Sequence, residues 1–198
     1  MRLVLASASP ARLATLRAAG LDPEVIVSGV DESVVDSTVP SHLAAALAQM
    51  KARAVADTLG PDALVIGCDS VLAFKGDIYG KPGTSVVARD RWKRMRGNGG
   101  VLHTGHCVIY QGHEIIERAE TTVHFAQITD SEIEDYLATG EPLRVAGGFT
   151  IDGLGAPFVE GIVGDHHNVV GISLPLLRTM LADVDVAWTS LWAQNPPT

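Results

Sequence analysis

Met1-Arg2-Leu3-Val4-Leu5-Ala6-Ser7-Ala8-Ser9-Pro10-Ala11-Arg12 sets the fold class of this chain. Residues 1–6 are apolar enough for a buried strand, and Leu13, Leu16 and Ala19 then recur at helical spacing. Ser9 before Pro10 predicts an N-cap followed by a proline at the first helical position, where the missing N–H costs nothing. A strand running into a helix in this way aims unpaired N–H groups outward at the positive end of the helix dipole, a setting that suits phosphate. Ser7 and Ser9 offer hydroxyl donors there, and Arg12 can fork two bonds to an anion. The same residues also fit an ordinary capped helix carrying a surface arginine.

Working outward, Glu24 to Gly29 predicts a second strand. Val30-Asp31-Glu32-Ser33 begins a loop that runs to Pro40-Ser41, where a long helix starts with Leu43, Leu47, Met50 and Ala54 on one stripe. At roughly 100° per residue, Lys51 falls about 80° from the centre of that stripe, at its border. A lysine there is either a snorkelling surface residue or a functional one. Ala63 to Cys68 is continuously apolar, as in a central strand covered on both faces, and ends in Asp69-Ser70. An aspartate after a strand serves as turn material or as chemistry at a strand's carboxyl end. A hairpin through Lys75-Gly76-Asp77 brings Lys81 toward Asp69.

Thr84 caps a helix to about Met95, in which Val87, Arg91 and Arg94 spoil a clean amphipathic pattern. Val101 to Tyr110 and Glu114 to Gln127 form a second hairpin about Gln111-Gly112-His113. His103 and His106, three apart on a strand, face opposite sides and make a poor metal pair. Thr129 to Glu132 is a capping box for a helix ending near Ala138. Glycines crowd residues 141 to 171 around an apolar strand at 156–163, and Ser173 caps a last helix. From residue 184 the pattern predicts a loosely held tail, with Trp188 and Trp192 available for a subunit contact. The 198 residues contain no repeat or linker, so the alternation of strands and helices predicts one two-lobed α/β domain on a mixed sheet.

Fifteen basic against 23 acidic residues give a net charge of −8, which argues against binding a nucleic-acid polymer. No run approaches the roughly 18 apolar residues of a membrane span, and no cleavable leader is evident at the N-terminus. Cys68 and Cys107 lie in apolar strands and suggest reduced thiols of a cytoplasmic protein.

Ser7/Ser9/Arg12, Glu32, Lys51, Asp69 and Lys81 all fall at strand ends, loops or helix borders. Three cations and two carboxylates in one cleft would be costly unless a phosphate ligand and a divalent ion completed the set. Hard oxygen donors suit Mg²⁺ or Mn²⁺.

Seven stretches in order make the chain resemble the Maf family of nucleoside triphosphate pyrophosphatases over nearly its whole length. They are Leu5 to Arg12, Val30-Asp31-Glu32, Lys51 to Ala54, Ile66-Gly67-x-Asp69-Ser70, Gly80-Lys81-Pro82, Ala146 to Phe149 and Asn168 to Gly171. The resemblance implies an elongated mixed-sheet fold shared with inosine triphosphate pyrophosphatases, a divalent cation, and hydrolysis of a nucleoside triphosphate at the α-phosphate. It implies Asp69 as catalytic acid/base, Glu32 and Asp69 as metal ligands, and Ser7, Ser9, Arg12, Lys51 and Lys81 as phosphate contacts. It further implies a homodimer, and roles in nucleotide-pool cleaning or arrest of cell division. The alternative is a nucleotide-binding regulator of septum formation without turnover.

The chain departs from the family pattern at Ala11, where the family usually has an arginine, and at Gly100, where it has a histidine. In the subtype preferring dTTP and UTP, the base-reading positions match Arg12, Ser70 and Asp152. Asp152 departs from that pattern and favours a base offering N–H donors, so the preferred base stays open.

Overall fold

The computed structural model describes residues 1–192. Its strands are β1 (Arg2–Ala6), β2 (Glu24–Val25), β3 (Ala63–Phe74), β4 (Asp77–Tyr79), β5 (Gly99–Tyr110), β6 (His113–Phe125) and β7 (Val159–Val163). They form one mixed sheet in the order β2-β1-β3-β5-β6-β7, with β4 also paired to β3. β1 runs parallel to β2 and β3, and every other pairing is antiparallel. The helices are α1 (Pro10–Ala18), α2 (Pro40–Ala56), α3 (Ser85–Met95), α4 (Asp130–Ala138), α5 (His166–Val170) and α6 (Leu174–Ala182).

Local signals account for most boundaries. Ser9 accepts from the Arg12 N–H to cap α1, Thr84 caps α3, and Ser173 caps α6. The Thr129/Glu132 capping box opens α4 in both directions. Lys75 and Gly76, at φ 47° and 89°, turn β3 into β4. The predicted strand at 24–29 shrinks to two residues. After Ile26 donates to the Leu5 carbonyl (3.1 Å), β1 ends at Ala6 and offers no further partner. The predicted strand at 156–163 begins only at Val159, after a 3₁₀ turn at Ala156–Phe158. Helix α5 is too short to leave a periodic signal.

Three apolar clusters divide the sheet into two lobes. Leu5, Leu64, Ile66 and Cys68 pack under α1 and α6 on one face, while Val4, Val65 and Cys107 pack under α2 on the other. Beyond the bend, Trp92, Phe125, Tyr136 and Phe149 build an aromatic core between α3, α4 and the far end of the sheet. The expected loose tail is corrected as far as Trp192. Val184 and Val186 are buried in the first cluster, Trp188 and Leu191 pack on it, and the Trp192 indole donates to Ala19 O at 3.0 Å. Residues 193–198 of that expected tail lie outside the described residues.

The register of α2 also differs from the prediction. Ala44, Leu47, Ala48, Lys51, Ala52 and Val55 are buried, so Lys51 lies within the sheet-facing stripe, not at its border. The larger apolar residues pointed to the wrong face because the contact is made by small ones. A methyl at Gly67 would collide with the Ala48 carbonyl and come within 2.8 Å of the Ala52 methyl; one at Gly105 would collide with the Ala44 carbonyl. Helix backbone thus rests directly on strand backbone.

Gly105→Ala is expected to force α2 off the sheet at a cost of about 1–3 kcal/mol, the range for overpacking. Thermal unfolding should show a midpoint lower by roughly 2–12 °C for a chain of this size. An unchanged midpoint would mean that the helix does not bear on Gly105.

Candidate active site

One edge of β3 is shared by two strands with a gap between them. β1 pairs with it as far as Ala6↔Gly67, and β4 begins at Leu72↔Tyr79. Residues 68–71 therefore have β5 on one side and an open notch on the other. Asp69 stands at this notch in the middle of β3. The sequence placed it after a strand, and the carboxyl end it adjoins is that of β1. The β1–α1 loop with Ser7 and Ser9 borders the notch on one side. On the other, Gly80-Lys81-Pro82 leaves β4.

Arg12 reaches into the notch from the first turn of α1 and is 8% exposed. Its Nε donates to Gly171 O (2.7 Å), Nη1 to Cys68 O (2.8 Å) and Ser7 Oγ (3.2 Å), and Nη2 to Ser70 Oγ (3.1 Å). The Cys68 carbonyl is one that the missing strand leaves without a ladder partner, and the guanidinium supplies the donor. Four of the five guanidinium N–H groups are thereby engaged within the protein, leaving one for a ligand. Ser7 Oγ also accepts from the Ser9 N–H, and Ser9 Oγ accepts from the Arg12 N–H. Each serine hydroxyl is held through its oxygen, so its hydrogen is available to an anion.

Lys51 projects from α2 between two carboxylates. Its Nζ lies 2.7 Å from Glu32 Oε1 and hydrogen-bonds Asp69 Oδ1. Lys51 and Asp69 are each about nine-tenths buried, so both charges depend on this pairing. Glu32, half-exposed in a 3₁₀ turn (Glu32–Val34), is subject to opposing influences. Burial acts to raise its pKa, but the hydrogen bond and charge of Lys51, with the charges of Lys81 and Arg12, outweigh it and hold the carboxyl below its usual range. Lys81 is exposed, yet its charge reaches Glu32 across the notch.

The structure thus bonds Ser7, Arg12 and Ser70 into one group and Glu32, Lys51 and Asp69 into another, from opposite faces of β3 at the same notch, with Ser9 on the bordering loop and Lys81 near enough to act by charge. It does not join Asp152 to them. That residue is exposed in a loop whose neighbours Thr150, Leu154 and Gly155 are fastened by the Glu141 carboxylate.

A buried polar layer behind Ser70 escaped the sequence reading. Ser70 Oγ meets Thr104 Oγ1 at 2.9 Å, Thr104 donates to Asn168 O (3.3 Å), and Asn168 Nδ2 donates to Thr121 Oγ1 (3.0 Å). The signal available was Asn168 within Asn168-Val169-Val170-Gly171. Isolated threonines on strands carry no comparable mark. His106 and His103 diverge as predicted. His106 is fully buried and its Nε2 accepts from the Ser173 N–H (2.8 Å), whereas His103 pairs with Glu120 on the opposite face. Burial, then the charge of Arg12, pull the His106 pKa down to about 4. Burial likewise pushes the Cys68 thiol up to about 11, and both cysteines are free.

The chain has relatives among known proteins. A family model described as Maf-like protein matches residues 2–184. A nucleoside triphosphate pyrophosphatase of Salinispora tropica is 57% identical over 204 residues, covering 100% of this chain and 90% of its own. One from Streptomyces coelicolor is 56% identical over 197 residues, covering 97% and 95%. A solved nucleoside-triphosphatase, dITP/XTP pyrophosphatase, from Mycobacterium abscessus aligns over both whole chains at 15% identity with a TM-score of 0.42, a likeness too loose to carry an argument.

The His106 shift has a consequence for stability. A histidine depressed from its ordinary 6.5 to about 4 takes up its proton in the unfolded chain first, so its contribution is complete above pH 6.5 and is lost as pH falls toward 4. Urea unfolding at pH 7 and pH 5 should differ by about 2 kcal/mol on this account. His106→Asn should remove most of that difference, and an unaltered slope would assign the acid sensitivity elsewhere.

Proposed function

The chain belongs to the Maf family, and from that premise we propose that it hydrolyses a nucleoside triphosphate to the monophosphate and pyrophosphate. The observation that carries the reading is the notch itself, where the buried Asp69 carboxylate is paired with Lys51 and the opening is bordered by Arg12, the Ser7/Ser9 loop and the Lys81 strap.

Water attacks the α-phosphorus, the bond to the α,β-bridging oxygen breaks, and pyrophosphate leaves with that oxygen. Asp69 Oδ1 is held by Lys51, which leaves Oδ2 to orient the water or take its proton. Lys51 and Lys81 meet the charge that builds on the transferring and leaving phosphates, the kind of preorganised electrostatics that dominates phosphoryl transfer. Ser7 and Ser9 donate from the α1 entry, where the helix N-terminus also favours an anion. Arg12 contributes one free N–H and the field of a nearly buried charge. Its main task is to hold Ser70, Cys68 and Gly171 in register around the ligand.

The donor set also fits a divalent cation. Glu32 and Asp69 both bond the Lys51 ammonium, so two hard carboxylate ligands lie close together, each with a second oxygen free of that bond. Mg²⁺ held by two such carboxylates and by substrate phosphates would neutralise charge and polarise the phosphorus under attack. Ser70, backed by the buried Thr104, lines the pocket on the side away from Lys51. Placing the base there leaves Arg12 and Ser70 within its reach, and the role of Asp152 in base choice rests on the family pattern alone.

Asp69→Asn keeps the shape and removes the charge. Pyrophosphate release from a panel of canonical and modified triphosphates, with added Mg²⁺ or Mn²⁺, is expected to fall at least about a hundredfold, the low end for loss of a general base. Chelation should silence the parent protein and either cation restore it. Near-normal release by the variant would reject Asp69 as the catalytic residue.

A further inference from the structure

Arg91 is an odd residue for its place. Helix α3 buries Ala88, Trp92 and Met95, and Arg91 sits beside that stripe with its guanidinium half-buried. It is turned inward onto the strap that carries Lys81. Nη1 donates to the Gly80 carbonyl at 2.6 Å, and the guanidinium stacks 4.5 Å from the centre of the Tyr79 ring. Gly80 O also accepts from the Gly147 N–H at 3.3 Å. The neighbouring Trp92 indole donates to Gly148 O at 2.8 Å, and the Pro82 ring lies against Gly148. Two consecutive residues of α3 thus tie down both the strap and the glycine turn beneath it.

We propose that Arg91 is a positioning residue for the triphosphate, acting through Lys81. This rests on the reading of Lys81 as a phosphate contact. A lysine side chain has many rotamers, and an exposed one ordered by a ligand loses much of that freedom. If its backbone also wandered, the cost of binding would rise and the ammonium would miss the phosphates. Arg91 removes the second source of freedom, because it clamps the carbonyl that immediately precedes the Lys81 N–H. The Gly147 bond keeps Gly80 O partnered when the arginine is lost, so the strap should loosen without unfolding. The other cations of α3 do not share this role. Arg89 pairs with Glu134 and Lys93 with Asp130, while Arg94 pairs with Asp77 and lies 5.7 Å from the Tyr79 ring without bonding the Gly80 carbonyl.

A double-mutant cycle tests the idea. The probe is a nucleoside triphosphate with a methylene in place of the α,β-bridging oxygen, titrated calorimetrically with Mg²⁺ present. Its base is the one best turned over by the parent. Arg91→Met should weaken binding about tenfold, the scale of one charge-assisted hydrogen bond, and raise KM more than it lowers kcat. Lys81→Met should weaken it at least as much, and the double variant should bind no worse than Lys81→Met alone. Arg91→Lys, which keeps a donor for Gly80 O, should recover part of the loss. Arg89→Met, on the same helix, should leave affinity unchanged. Equal losses from Arg91→Met with and without Lys81 would overturn the positioning role while leaving Lys81 as a phosphate contact. Unchanged binding by Lys81→Met would overturn both. Should Arg91→Met not fold, full affinity in Arg91→Ala or failure of Arg91→Lys to bind better than Arg91→Ala would also overturn it.

Discussion

Contact of the α2 backbone with Gly67 and Gly105 is the constraint from which the site follows. A helix normally stands off a sheet by the depth of its side chains. Here the strand side chains are absent and the helix side chains are alanines, so the two backbones meet. At that separation a lysine on the sheet-facing stripe has nowhere to snorkel. Its ammonium is driven into the sheet surface, where Asp69 and Glu32 meet it. Burying a charge of this kind is tolerable only with such partners, and the partners are in turn fixed in place by it. The close packing and the ion triad are one feature.

The second ingredient is a sheet that is deliberately incomplete. Between the end of β1 and the start of β4, one edge of β3 lacks a neighbour for four residues, while β5 pairs the other edge. Open backbone inside a domain has to be satisfied. Arg12 meets this need at Cys68 and at the same time reaches the hydroxyls of Ser7 and Ser70 and the carbonyl of Gly171. Residues separated by as many as 159 positions are tied by one planar group. The notch resembles the crevice that open α/β sheets form where neighbouring strands diverge, and a ligand there meets loops from both sides. Behind it, Thr104, Asn168 and Thr121 form a buried hydrogen-bonded layer that braces the pocket wall.

Much of this architecture was legible from local chemistry. Ser9-Pro10, Thr84, Thr129 with Glu132, and Ser173 each name a helix start because a side-chain oxygen answers an orphan N–H within three residues. The Lys75-Gly76 turn and the Gln111-Gly112 turn are equally local. The ordered motifs went further and named Ser7, Arg12, Glu32, Lys51, Asp69 and Ser70, all of which meet in the fold. What misled was reasoning by side-chain size. Leu43 and Met50 pulled the α2 stripe toward themselves, although alanines make the contact. The tail from residue 184 looked loosely held, yet Val184, Val186, Trp188 and Leu191 pack on the core and Trp192 bonds Ala19.

The sequence by itself determined the mixed α/β class, the element order, the caps and turns, and the identity of the residues that meet at the notch, because each depends on neighbours a few positions away or on a motif read whole. Only the tertiary structure decided that Lys51 lies between two carboxylates, that Arg12 spends most of its donors on the protein, and that Arg91 grips the Lys81 strap. These are partnerships across distant chain segments. They are set by how closely backbones approach and by which strand edges stay open, and neither quantity is written in the order of the residues alone.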